Sequence, residues 1–245
     1  MAGKGCVKIA DGAFAIESGK GGIHSENVDD SSFGYLYIAD GDFTIQSQLD
    51  GLDSKCILKI AGVEISLIAS DDGLNAAGGN DQSSLEGRPG MNPFEADADC
   101  FIEISGGKLV INASGDGIDS NGTLNVTGGE IYRSQQHGTE FGDSSIQVSI
   151  MANFQNGQQG STIALSDSKG NPLFTYIPEK QFQSMVISIP QLEVAQTYTL
   201  TVGSKSQSIQ LSSVIYGSSG SMMMPGRELR SRPDDQGMPS RPEGQ

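Results

Sequence analysis

A chain of 245 residues is long enough to bury a substantial core, as one large domain or two modest ones. Gly makes up about 13% of it, roughly twice the usual share, while aromatic residues reach only 6% and Trp is absent. Fifteen Lys and Arg face 30 Asp and Glu, and the resulting charge of -15 excludes a nucleic-acid partner held by phosphate neutralisation. No apolar run approaches the ~18 residues of a membrane span. The N-terminal stretch MAGKGCVKIADG has no apolar h-region, which leaves a cytoplasmic protein or one whose leader lies outside this sequence. Residues 1–144 hold 23 acidic and 8 basic side chains, 145–216 three of each and 217–245 four of each, so the whole imbalance sits in the first 144 residues. Either a solvated acidic surface or a bound divalent cation accounts for it.

The first element is a repeat with a step of 22 residues. Val7 to Ser25 is the first copy, and Leu36 to Ser47 begins the second, 29 residues on, with the extra seven placed in a loop at ENVDDSSF. Leu58 to Ala69 follows 22 residues later, Ile102 to Ala113 a further 44, and Leu124 to Ile131 another 22. Each copy alternates apolar and polar residues around a Gly-containing turn, the periodicity of a strand. One 22-residue unit has too little apolar surface to stand alone, so the copies are expected to stack. Stacking gives three inward ladders: Phe14, Phe43, Ile65, Leu109 and Ile131; then Ile16, Ile45, Leu67 and Ile111, broken by Arg133; and finally Ile23, Leu52, Leu74 and Ile118. Three ladders per 22 residues describe one coil of a three-sided parallel β-helix of about five coils, with strands ~4.8 Å apart.

Between the third and fourth copies, residues 78–100 lose the alternation and carry Pro89 and Pro93, which reads as a long loop inserted in the 1–144 domain. From Ser145 the pattern changes to longer alternating strands: SIQVSIM, STIALSD, PLFTYIP, SMVISIP, TYTLTVG and SIQLSSV. This 145–216 segment is expected to form an antiparallel β cap over the open end of the coils. Residues 217–245, rich in Gly, Ser, Met, Pro and Arg, read as a disordered tail.

The middle copies end in one signature: Asp50-Gly51-Leu52-Asp53, Asp72-Gly73-Leu74-Asn75 and Asp116-Gly117-Ile118-Asp119. The aliphatic residue points inward, so stacking aligns Asp50, Asp72 and Asp116 in one column and Asp53, Asn75 and Asp119 in the next. Carboxylates ~4.8 Å apart repel by roughly 1 kcal/mol in water and about 3.5 kcal/mol at an effective dielectric near 20. Hard oxygen ligands at that spacing suit Ca2+. Asp71, Asn80 and Asp81 add oxygens near the third copy, and Asx turns closed on the local backbone are the alternative reading. The first copy has Gly21 and His24 at the two acid positions, so cation sites are expected on the middle coils.

The segments GGKLVINASGDGIDSNGTLNVTGGEIY and DDGLNAAGGNDQSS resemble a bacterial carbohydrate-binding family founded on surface proteins of cellulose-degrading clostridia. The resemblance covers about residues 5–216. It implies a right-handed parallel β-helix that binds calcium and an acidic polysaccharide, such as polygalacturonate, or a cellulosic one, outside the cell or on its surface. It implies no catalysis, and its acidic motif falls on the Asp columns above. Outward Tyr35, Tyr37 and Tyr132 are candidates to stack on sugar rings. The competing readings are a calcium-dependent polyuronate lyase, with Lys55 as the base candidate, and a structural surface spacer or adhesin.

Of the three cysteines, Cys56 and Cys100 occupy equivalent slots on neighbouring coils if 78–99 loops out; a disulfide is possible there, but buried thiols are the expectation. His24 and His137 stand apart from other chemistry-bearing residues and read as surface side chains rather than catalysts.

Overall fold

The computed structural model describes residues 1–27, 33–76, 99–120, 122–135, 145–154 and 160–217, all of them strand or connection and none helical. In chain order the first strands are β1 (Ala2–Gly3), β2 (Cys6–Ile9), β3 (Ala13–Ser18), β4 (Ile23–Ser25), β5 (Tyr35–Ser47), β6 (Leu52–Ser54), β7 (Ile57–Ala69) and β8 (Leu74–Ala76). Then come β9 (Phe101–Ile104), β10 (Lys108–Ala113), β11 (Ile118–Ser120), β12 (Thr123–Val126) and β13 (Glu130–Gln135). The remainder are β14 (Ser149–Asn153), β15 (Ile163–Asp167), β16 (Pro172–Tyr176), β17 (Ser184–Ser188), β18 (Thr197–Val202), β19 (Lys205–Gln210) and β20 (Ile215–Tyr216).

Strands one copy apart pair in parallel. A five-stranded sheet runs β1-β4-β6-β8-β11, parallel throughout. A larger sheet stacks β2 and β3 on β5, β5 on β7, and β7 on both β9 and β10, which in turn carry β12 and β13. The three sequence ladders coincide with this register: Phe14↔Phe43↔Ile65↔Leu109↔Ile131, Ile16↔Ile45↔Leu67↔Ile111↔Arg133 and Ile23↔Leu52↔Leu74↔Ile118. Two more complete the interior, Val7↔Leu36↔Leu58↔Ile102↔Leu124 and Ile9↔Ile38↔Ile60↔Ile104↔Val126. Together they form one continuous buried cluster, because period-2 alternation sends every second side chain inward on each strand.

The step from β7 to β10 is 44 residues in sequence but one strand in space, since Leu67 pairs directly with Ile111. Residues 77–98, which occupy that step and include most of the expected loop, lie outside the described residues. At its base the expectation of free thiols is corrected. Ile57 pairs with Phe101, which sets the two preceding residues side by side with Cα atoms 4.2 Å apart, and Cys56 and Cys100 are joined by a disulfide. Cys6 is free and exposed.

After β13 the pairing changes sense. β17 runs antiparallel to β13, β14 antiparallel to β17, and β20 closes on β14. A separate antiparallel sheet of order β16-β15-β18-β19 packs a second buried cluster with Tyr132, Ile150, Leu165, Phe182, Ile187 and Leu200. Arg133, the residue that interrupts the second ladder, is fully buried on the last copy, within electrostatic reach of Asp116. Burial lowers its guanidinium to about 10, and the Asp116 charge opposes that shift. The 217–245 expectation touches the described residues only at Gly217; 218–245 lie outside them.

Candidate functional site

The acidic signature sits at the turn that leads into the five-stranded sheet. The first two glycines of the motif donate their backbone N–H to the carbonyl of the next copy's Asp, Gly51 to Asp72 at 2.9 Å and Gly73 to Asp116 at 2.9 Å, while Gly117 donates to Oε1 of Gln135 at 2.9 Å. These bonds hold the turns in vertical alignment. The carboxylates then bond from copy to copy. Oδ1 of Asp50 accepts the backbone N–H of Asp72 at 3.1 Å, and Oδ1 of Asp72 accepts that of Asp116 at 2.7 Å. Asn75 adds its side-chain amide to Oδ2 of Asp50 at 3.2 Å. Local Asx turns are therefore not what these two carboxylates make, because the backbone donors they meet belong to the neighbouring copy.

Asp50, Asp71 and Asp72 bring one carboxylate oxygen each within 4.8 Å of one another. Gly115 makes room for them. A Cβ there would collide with Oδ1 of Asp72 and come within 3.0 Å of Oδ1 of Asp71. Burial pushes Asp72 up to about 8, with Asp50, Asp119 and Asp71 adding like-charge repulsion against the hydrogen bond from Asp116. Asp50 rises to about 6 through burial and the Asp53 charge. The cluster is thus a set of hard oxygens, partly withdrawn from water, in which burial, and after it mutual repulsion, disfavours full ionisation.

The remaining site expectations fall as follows. Asp53, Asn75 and Asp119 align in the neighbouring column, with His24 at its first position. Asp116 stacks beyond Asp72 through its backbone, and its charge raises the Arg133 guanidinium against the effect of burial. Asn80 and Asp81 lie outside the described residues, as does His137. His24 does not stand apart: its Nδ1 lies 2.6 Å from Oδ2 of Asp53 and its Nε2 3.4 Å from Glu26. A ring nitrogen thus takes the place in the first copy that a second acid takes in the middle ones. Lys55 donates its ammonium to the carbonyl of Asn27 at 2.7 Å. Tyr132 is corrected as a sugar platform, because it is buried face to face against Phe174 with ring centroids 3.8 Å apart. Sequence reasoning stopped at the cap and so missed what the cap covers.

Lys180 was also missed. Its ammonium donates to the carbonyl of Ala69 and, at 3.1 Å, to Oγ of Ser114, and burial lowers its pKa. It clips the C-terminal segment to the turns that precede Asp71 and Asp116. No motif marks a lysine 111 residues from its acceptor.

The described residues form an all-β protein whose stacked parallel strands carry an acidic edge. A family model of carbohydrate-binding domain-containing proteins matches residues 1–139, more than half of the chain, and the chain belongs to that family. Carbohydrate is accordingly its class of partner. No curated protein and no solved structure matches it. Among the described residues no helix is long and apolar enough to cross a membrane.

Proposed function

We propose that the protein is a calcium-dependent polysaccharide binder of the cell surface or cell exterior, acting without catalysis, whose parallel copies are coils of a right-handed β-helix capped by the C-terminal antiparallel strands. The 22-residue register and the five inward ladders support the β-helix reading. The observation that carries the metal reading is the convergence of Asp50, Asp71 and Asp72 with oxygens within 4.8 Å, in space that a Cβ at Gly115 would fill. Hard, partly buried carboxylates suit calcium, which takes oxygen ligands in loose geometry. Asp50, Asp71 and Asp72 would hold the ion, with Asp53, Asn75, Asp116 and Asp119 beside them and Asn80 and Asp81 as further ligands. When bound it supplies a positive charge that a glycan carboxylate or hydroxyl can meet. The Cys56–Cys100 disulfide supports an oxidising compartment.

Calcium at one hundred times its dissociation constant should stabilise the chain by about 2.7 kcal/mol in urea titrations, and Asp50→Asn/Asp72→Asn should remove that gain. The pH dependence has a definite sign. Both carboxyls lie above the ordinary value of 3.8, so the ion-free fold is favoured at low pH and loses that stability as pH rises through about 6 and about 8. Calcium must displace the same protons, so its affinity should climb across this window. Polygalacturonate should be retained on immobilised protein with calcium and show no rise in ultraviolet absorbance. Calcium affinity that is flat from pH 5 to 8, or unchanged in the double variant, would overturn the metal reading.

A further inference from the structure

We infer that the outward face of β2, β5, β7 and β9 is a second glycan-binding surface, on which Lys8, Tyr37 and Lys59 take a carboxylated polysaccharide without any metal ion. The inference rests on the family's carbohydrate partner but not on the acidic cluster.

Parallel register sets the row. Lys8 pairs with Tyr37, Tyr37 with Lys59, and Lys59 with Glu103, all projecting away from the core. Strand spacing puts the Lys8 and Lys59 backbones about 10 Å apart with the Tyr37 ring between them. Among the described residues Tyr37 is one of the few large hydrophobic side chains left exposed. Both lysines are braced rather than free to wander. The Lys8 ammonium lies 5.1 Å from the Tyr35 ring centroid, and that of Lys59 lies 4.9 Å from the Phe101 ring and 3.0 Å from Glu103. An ammonium fixed in advance loses less freedom on meeting a carboxylate. Lys8, Tyr35, Tyr37, Ile57, Lys59 and Glu103 line a shallow groove of ≈ 580 Å³.

Charge selects the occupant. Residues 1–144 carry a net charge of -15 with 8 basic side chains, and two of those 8 flank one exposed ring here. A polyanion is repelled over most of this surface and met on this face by two ammoniums, Lys8 and a Lys59 shared with Glu103. A polyuronate carries a carboxylate on each sugar and an apolar C–H face that can lie on Tyr37, and its sugars are close in length to one strand spacing. A chain laid across the strands would set alternate carboxylates against Lys8 and Lys59. A neutral glucan could use the ring but offers the two ammoniums no counter-charge.

The test uses the full chain in excess chelator, titrated calorimetrically with an oligogalacturonate and with a cello-oligosaccharide of equal length. The acidic oligomer should bind and the neutral one should not. Tyr37→Ala and Lys8→Gln/Lys59→Gln should each weaken binding by about tenfold. Added salt should weaken the wild type and have much less effect on the lysine variant. Tyr37→Phe should bind as wild type, and an unchanged urea midpoint will show that each variant is folded. Lys108→Gln, an exposed lysine on β10 outside this row, should bind as wild type in chelator, which ties the effect to Lys8 and Lys59 rather than to cationic charge at large. Binding that appears only with calcium overturns this inference and leaves the metal reading standing. So does equal binding of the neutral oligomer, or indifference to both lysines. Loss of calcium dependence with chelator-resistant binding intact does the reverse.

Discussion

Gly73→Ala should destabilise the protein by at least about 3 kcal/mol, read from the urea midpoint, and abolish any calcium response. The backbone at Gly73 is not left-handed, so the cost is purely one of space. A Cβ there would collide with the carbonyl oxygen of Gly117 and with Cγ2 of Ile111. Neither can yield easily. The Gly117 carbonyl accepts the N–H of Leu74, and Ile111 is fully buried in the second ladder. Gly73 also follows Asp72 directly, so any shift that relieves the collision moves a carboxylate of the acidic cluster. Gly19→Ala is the matched control, since a Cβ there meets nothing within 4 Å, and it should change stability by less than about 1 kcal/mol. Equal midpoints for the two variants would show that the copies do not stack as tightly as described.

Removing the Cys56–Cys100 disulfide should cost about 4 kcal/mol, because the bond closes a loop of 44 residues whose freedom it removes from the unfolded chain. The effect should act mostly through the unfolded state, so a Cys56→Ala/Cys100→Ala chain should keep its native circular dichroism while its urea midpoint falls. The wild type treated with reductant should fall to the same midpoint. Cys6 cannot mask the result by exchange if it is changed to Ser in both proteins, a small change at an exposed position. A midpoint that reductant leaves unchanged would deny the crosslink.

The fold was largely legible because the period is written twice, in the apolar ladders and in the DG[IL][DN] turns. Side-chain alternation fixes which residues face inward, and a constant step fixes which of them meet, so Leu109 over Ile65 follows from arithmetic. The acidic columns follow from the same arithmetic, and His24 over Asp53 shows its reach even where the residue type changes. What the period does not encode stayed hidden. Tyr132 looks like any other outward residue until Phe174 of the C-terminal sheet covers it. Lys180 gives no local sign of its acceptors on Ala69 and Ser114. The carboxylates of Asp50 and Asp72 bond across copies because stacking brings a backbone N–H of the neighbouring copy within reach, a contact that no single copy displays. Tyr37 was legible as a candidate sugar platform, but its flanking by Lys8 and Lys59 was obscured, since each lysine reads alone as an ordinary exposed side chain.

The seam between β8 and β9 makes the protein a ready-made grafting scaffold. Residues 77–98 number 22, one whole step of the repeat, and excising them would join Ala76 to Asp99 ahead of Cys100 and Phe101. That junction reproduces the spacing of Ser54, Lys55, Cys56 and Ile57 in the preceding copy. A chain shortened in this way should keep a cooperative thermal transition within a few degrees of the parent, whereas excising 76–99, two residues more than one step, should broaden or abolish it. Foreign peptides spliced between Ala76 and Asp99 would then be displayed with no change to the pairing on either side, and the disulfide would pin the frame one residue beyond the splice.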